Sequence, residues 1–120
     1  MTLGEKQEIF LQNVAKLILW AFENGFHLRG GELLRTKEQQ EIYLSTGRSK
    51  TMNSRHLDKL AIDLSLIKNG VLSNNPEDYK PLGLYWQSLN EENVWGSDWN
   101  RNGEWKDEKF QDPYHFEMKP

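Results

Sequence analysis

Two short stretches of this 120-residue chain gather the residue types that bind metals and move protons. The first is Ser54-Arg55-His56-Leu57-Asp58-Lys59-Leu60-Ala61-Ile62-Asp63, and the second is Asp112-Pro113-Tyr114-His115-Phe116-Glu117. Two imidazoles and one carboxylate, from His56, Asp63 and His115, would leave a fourth tetrahedral position open to water, the arrangement of a catalytic zinc site. Zinc there lowers the pKa of the water to about 7 and polarises a scissile carbonyl. Asp112, three residues before His115, can reach such a water without being a ligand. It is the candidate to accept the proton and pass it to the leaving amine. Arg35 is a candidate for the positive group wanted by an oxyanion or a substrate carboxylate. The donor set suits zinc and leaves other divalent ions open.

Spacing puts a condition on this reading. Leu60, Ile62, Leu64 and Leu66 alternate with Lys59, Ala61, Asp63 and Ser65, which predicts a strand over Lys59–Ile67 with its aliphatic face in the core. Asp63 then points away from that core. His56 stands seven residues earlier, an odd number, so in an unbroken strand it would face the opposite side. It must therefore sit in a preceding loop folded back over the sheet. In the second stretch His115 and Glu117 share the face opposite Tyr114 and Phe116, and Pro113 biases Asp112 toward an extended backbone. Each residue also has a purely structural reading: His56 and His115 as half-buried packing groups, Asp63 as a solvated strand residue, Arg35 as surface charge. His27, with no partner pattern, takes that reading outright. So do Trp86, Trp95, Trp99 and Trp105, as core and loop-packing groups rather than a sugar-binding stack.

The elements that must position these residues read as follows. Phe10, Val14, Leu17, Ile18 and Ala21 recur at helical steps over Gly4–Asn24, with Asn24-Gly25 as the stop. Residues 26–34, with Gly30-Gly31 in the middle, predict a bent strand or hairpin. Thr36 and Gln39 form a capping-box pattern opening a second helix that ends at Gly47. Residues 48–55 have no period and predict a loop. Asn69-Gly70 is a hairpin turn returning through Val71-Leu72. Residues 76–89 contain a short helix despite Pro81 and Gly83. Residues 91–111 predict a long loop with short extended pieces, followed by a last strand through Tyr114, Phe116 and Met118. The fold class is α+β, a small antiparallel sheet with helices packed on one side.

Composition sets outer bounds. A chain of this length suits one domain, 1–120, with one core. A net charge of −3 gives no basic excess for capturing nucleic acid. With no Cys, thiolate zinc sites, iron–sulfur clusters and disulfides are excluded. The polar, acidic N-terminus is not a signal peptide and no apolar run reaches a membrane span, so a chain made in the cytoplasm without membrane insertion is expected.

The two stretches together resemble the zinc D-Ala-D-Ala carboxypeptidase family. That family includes phage L-alanyl-D-glutamate endopeptidase endolysins and vancomycin-resistance dipeptidases, and shares its fold with hedgehog signalling domains. Its pattern, Ser-x-His-x-x-Gly-x-Ala-x-Asp followed by a late Glu or Asp-x-x-His, is met by Ser54, His56, Ala61 and Asp63, then Asp112 and His115. An upstream Arg-Thr followed by a Gln, a further feature of the family, appears as Arg35-Thr36 and Gln39. The resemblance implies a hedgehog/DD-peptidase-like fold, one Zn2+ held by His56, Asp63 and His115, and Asp112 as general base. It also implies Arg35 at the oxyanion or substrate and Ser54 as a substrate-binding residue. The substrate implied is the peptidoglycan stem peptide, cut by a monomeric L-alanyl-D-glutamate endopeptidase of phage or prophage type that reaches the wall after membrane permeabilisation. A D-Ala-D-Ala carboxypeptidase or dipeptidase, and a non-catalytic zinc-binding module, are the alternatives. One motif position departs: the Gly is Lys59 here, on the Asp63 face by strand alternation, where it would crowd or charge the cleft.

Overall fold

In the computed structural model, residues 1–31, 37–47 and 55–120 are described. Helix α1 (Leu3–Glu23) starts at a capping box in which Thr2 accepts from the Glu5 amide and Glu5 accepts in return from Thr2. It ends at Asn24, with Gly25 at φ +80°. Phe10, Val14, Leu17 and Ala21 are its buried stripe. Ile18, expected on that stripe, is instead 46% exposed, whereas Asn13, beside Val14, is buried.

Strand β1 (His27–Gly30) follows, then α2 (Lys37–Ser45), a four-residue 3-10 turn (Arg55–Asp58), and β2 (Ala61–Lys68). β3 (Val71–Leu72) returns from β2 through Asn69 and Gly70, both at positive φ, as a tight hairpin turn requires. α3 occupies the whole of Pro76–Leu89, longer than the short helix expected. Asn75 caps it and Pro76 opens it. Gly83 sits mid-helix for a packing reason: a Cβ there would run into the Trp95 ring. β4 (Asn93–Trp95) and β5 (His115–Met118) complete an antiparallel sheet of order β1-β2-β5-β4, with β3 paired to β2. The expected capping Thr36, residues 32–34 of the strand or hairpin expected over 26–34, and residues 48–54 of the loop expected over 48–55 lie outside the described residues; Arg55, the last of that loop, instead opens the 3-10 turn.

One face of the sheet carries the core. Leu64 and Leu66 of β2, Trp95 of β4, and Phe116 and Met118 of β5 pack with Phe10, Val14 and Leu17 of α1 and with Tyr79, Leu82 and Trp86 of α3. Trp86 is the keystone, meeting Phe10 and Phe116 edge-on at 5.6 and 6.2 Å between centroids. The other face carries Ala61, Asp63, Val94, His115 and Glu117, paired across β2, β5 and β4.

β2 begins two residues later than the alternation predicted, and Lys59 is not on the Asp63 face. Lys59 has φ +58° and is exposed. The Leu60 amide donates to the Arg55 carbonyl at 2.9 Å and the Lys59 amide to that of His56 at 3.4 Å, the pair of bonds that closes a helical turn with a left-handed residue. That geometry is why glycine suits this motif position, and it removes any crowding of the cleft. An L-residue in this region carries a cost of roughly 1–2 kcal/mol that glycine partly avoids. Lys59→Gly is therefore expected to raise unfolding stability by about 1 kcal/mol, read as a higher denaturation midpoint in urea with an unchanged slope. A lowered midpoint would show that the lysine side chain makes up for its backbone.

Candidate metal centre

The register of β2 against β5 sets the first two groups face to face. Asp63 pairs directly with His115, flanked by the Ile62–Phe116 pair. Backbone bonds from Leu64 to Tyr114 (2.9 Å) and from Met118 to Leu60 (2.8 Å) make the even-numbered β2 residues the hydrogen-bonded ones. Asp63 and His115 are thus a non-hydrogen-bonded pair, the type whose side chains stand closest. His115 Nδ1 lies 3.5 Å from Asp63 Oδ1.

His56 arrives from the 3-10 turn, folded back over the sheet as its odd spacing from Asp63 demanded. The turn is pinned from two sides: Gln7 of α1 donates to the Asp58 carbonyl at 2.7 Å, and Arg55 pairs with Asp58 at 3.0 Å. His56 is fully buried, its Nε2 3.2 Å from Asp63 Oδ1 and its ring 5.0 Å from that of His115. One donor atom from each of His56, Asp63 and His115 falls within 4.8 Å of the others. A tetrahedral ion with bonds of about 2.0–2.1 Å separates its ligand atoms by about 3.3 Å, close to the two measured separations from Asp63. The three residues fit a divalent metal in chemistry and in spacing.

The remaining expected groups divide. Asp112 stands at the turn into β5: its amide donates to the Gly96 carbonyl at 2.9 Å and its carbonyl accepts from the His115 amide at 3.0 Å. Its charge reaches His115. Arg35 and Ser54 lie outside the described residues. His27 is exposed on β1, opposite Ile67 and so four residues along β2 from Asp63.

Three contributors were not singled out from sequence. Gly96 follows β4 and approaches so closely that a Cβ would meet the Asp112 carbonyl and the His115 Cβ; a glycine directly after a strand, with no turn pattern, was the available signal. Trp99, assigned only to packing, has its ring 5.6 Å from His115 and is held against Phe110 by stacking and by an indole bond to the Phe110 carbonyl at 3.0 Å. Asp98, fully buried, organises that loop by accepting from Gln87, Asn102 and Gly103.

Electrostatics tie the cluster together. Burial works to raise the Asp63 pKa, but hydrogen bonds from His115 and His56, and their charge, hold the carboxyl well below the usual range. Burial works to lower the His115 pKa, yet its bonds to Asp63 and Glu117 push it up to about 10. A raised histidine stabilises the fold fully below its unfolded value of 6.5 and loses that contribution as pH climbs through about 10. A depressed Asp63 stabilises above 3.8 and loses its part as pH falls toward its folded value. The chelated protein is thus expected to be most stable between these limits and to weaken steadily above pH 6.5. Urea unfolding across pH checks this. His115→Gln should flatten the alkaline limb, and an unchanged limb would assign it to another group.

Comparison with known proteins bears on this arrangement. A family profile for the phage L-alanyl-D-glutamate peptidase matches residues 5–119, a span that includes His56, Asp63, Asp112 and His115. The chain is 34% identical over 88 residues to the L-alanyl-D-glutamate peptidase of Listeria phage A118, a stretch covering 71% of this chain and 31% of that relative. Among solved structures it is similar to the L-Ala D-Glu endopeptidase ChiX of Serratia marcescens, with a TM-score of 0.66 at 22% identity over 97% of this chain and 85% of the other. That likeness bears on the fold and agrees with the α+β architecture expected. On the match over nearly its whole length, the chain belongs to the phage L-alanyl-D-glutamate peptidase family.

Proposed function

We propose that this protein is a zinc-dependent endopeptidase that cuts the L-alanyl–D-glutamate bond of the peptidoglycan stem peptide, acting as a single-domain monomer of the endolysin type. The observation that carries the proposal is the convergence of His56, Asp63 and His115 to within 4.8 Å in a chain of this family. His56, Asp63 and His115 are the proposed ligands, and the two imidazoles with one carboxylate leave a position for water and substrate. Zinc held there supplies a Lewis acid for the scissile carbonyl and lowers the pKa of water to about 7.

The chain's own residues do the rest. Asp63 Oδ1 lies 3.2 and 3.5 Å from the imidazole nitrogens of His56 and His115, so it would bring the third donor and a negative charge to the same point. Asp112 is the proposed general base: its carboxylate takes the proton of the attacking water and returns it to the leaving amine as the C–N bond breaks. The bond from the His115 amide to the Asp112 carbonyl fixes the base relative to a ligand. Trp99, beside His115, covers one side of the centre and limits its exposure to bulk water. Arg35 and Ser54 are proposed, on the motif alone, to neutralise the oxyanion and to hold substrate. No helix among the described residues is long and apolar enough to cross a membrane.

The direct test is digestion of purified peptidoglycan, with the released ends identified by mass spectrometry. New N-terminal D-Glu is the expected product; free D-Ala would move the activity to the carboxypeptidase alternative. Activity should vanish on chelation and return with zinc at one ion per chain. Asp112→Asn is expected to keep its zinc while lowering kcat by roughly 10²–10⁴-fold; unchanged kcat would remove Asp112 from the reaction. Bound zinc with no hydrolysis in the wild type would favour the binding-module alternative.

A further inference from the structure

We infer that Glu117 is the positioning residue of the metal centre: it holds the His115 proton on Nε2, so that Nδ1 is the nitrogen turned to the metal. This rests on the proposed reading of His115 as a ligand and goes beyond it by assigning a role to a residue outside the donor set. A neutral imidazole can carry its proton on either nitrogen, and the partner of one nitrogen decides which lone pair is left on the other. His115 Nε2 lies 2.8 Å from Glu117 Oε1, while Nδ1 faces Asp63 at 3.5 Å. A carboxylate offers only acceptors, so the proton of the shorter contact belongs to Nε2.

The strand makes this pairing by construction. Glu117 follows His115 by two residues on β5 and stands on the same face. Its cross-strand neighbours on that face are Ala61 of β2 and Val94 of β4, both buried and apolar. Neither can hydrogen-bond the carboxylate, and the small Ala61 leaves it room. Among the described residues His115 is the charged partner of Glu117, whose side chain is only 15% exposed. The backbone is anchored as well, since Trp86 Nε1 donates to the Glu117 carbonyl at 2.9 Å and Trp86 is fully buried in the core. Glu117 can therefore neither drift from His115 nor exchange it for a nearer partner without disturbing the core.

The test compares zinc-loaded wild type with Glu117→Gln and Glu117→Leu, using zinc affinity by competition with a chromophoric chelator and the His115 ring-nitrogen signals in 15N NMR. Glutamine keeps an acceptor oxygen, and leucine keeps an apolar volume that suits the flanks of Ala61 and Val94. E117L is expected to bind zinc about 10–100-fold more weakly and to lose the protected Nε2–H signal. E117Q should keep that signal and recover most of the affinity. If E117L binds zinc as tightly as wild type with the same His115 signals, the positioning role is overturned while the metal centre stands. If E117L fails to fold, E117Q decides: a lost Nε2–H signal overturns the inference and a retained one supports it. Wild-type protein that takes up no zinc overturns the metal centre itself, and the role of Glu117 with it.

Discussion

β5 is four residues long, yet its register against β2 decides where nearly every group of the site stands. With Asp63 opposite His115, a carboxylate and an imidazole meet as a close cross-strand pair. Ile62 and Phe116, one step along, meet on the other face. Because side chains alternate with period two, a slip of one residue would put His115 and Glu117 into the core and Phe116 into solvent. Burying a charged pair without its partners would cost several kcal/mol. The register is therefore set by the core, above all by Phe116 against Trp86, and the site inherits its precision from that packing. Trp86 acts on both sides of the sheet, since its ring fills the core while its indole nitrogen grips the backbone of Glu117.

His56 reaches the pair by a different device. A strand cannot bring His56 to the face of Asp63 across an odd spacing, so the chain turns before β2 begins. The turn needs a left-handed residue at Lys59, which allows Leu60 to enter the core directly afterwards. The motif glycine position and His56, three residues before it, are thus one structural unit. The substitution to lysine leaves the unit intact at an energetic cost to the backbone, with the side chain directed to solvent.

Much of this was legible in the sequence, and what was not has physical reasons. The alternation around Asp63 and the odd spacing of His56 foretold both the strand and the fold-back, because periodicity is a local property. Asn69-Gly70 foretold its hairpin for the same reason. The strand start was misjudged at Lys59, since alternation cannot distinguish a first strand residue from the closing residue of a turn. Ile18 was misjudged because helical spacing gives a face but not how much of it finds a partner. Gly96, Trp99 and Asp98 act through contacts made only after β4 and β5 pair, and no local pattern marks such residues. The role proposed for Asp112 rests on its sequence spacing from His115 and on family resemblance rather than on any element.

The charges of the site explain why these groups are worth assembling. Asp63, Glu117 and Asp112 all bear on His115, in a region where His56 is fully buried. Acidic groups gathered beside buried imidazoles are unfavourable unless a positive charge sits among them. The proton that these carboxylates hold on His115 supplies it; a divalent ion held there would supply more, and would have to displace a proton to do so. Proton and metal would then compete for one nitrogen. The polypeptide holds these side chains in place through the sheet register, and the acidic groups around His115 would favour a positive ion among them. The separations of 3.2 and 3.5 Å from Asp63 to the two imidazoles follow from that register and from the turn that ends at Lys59.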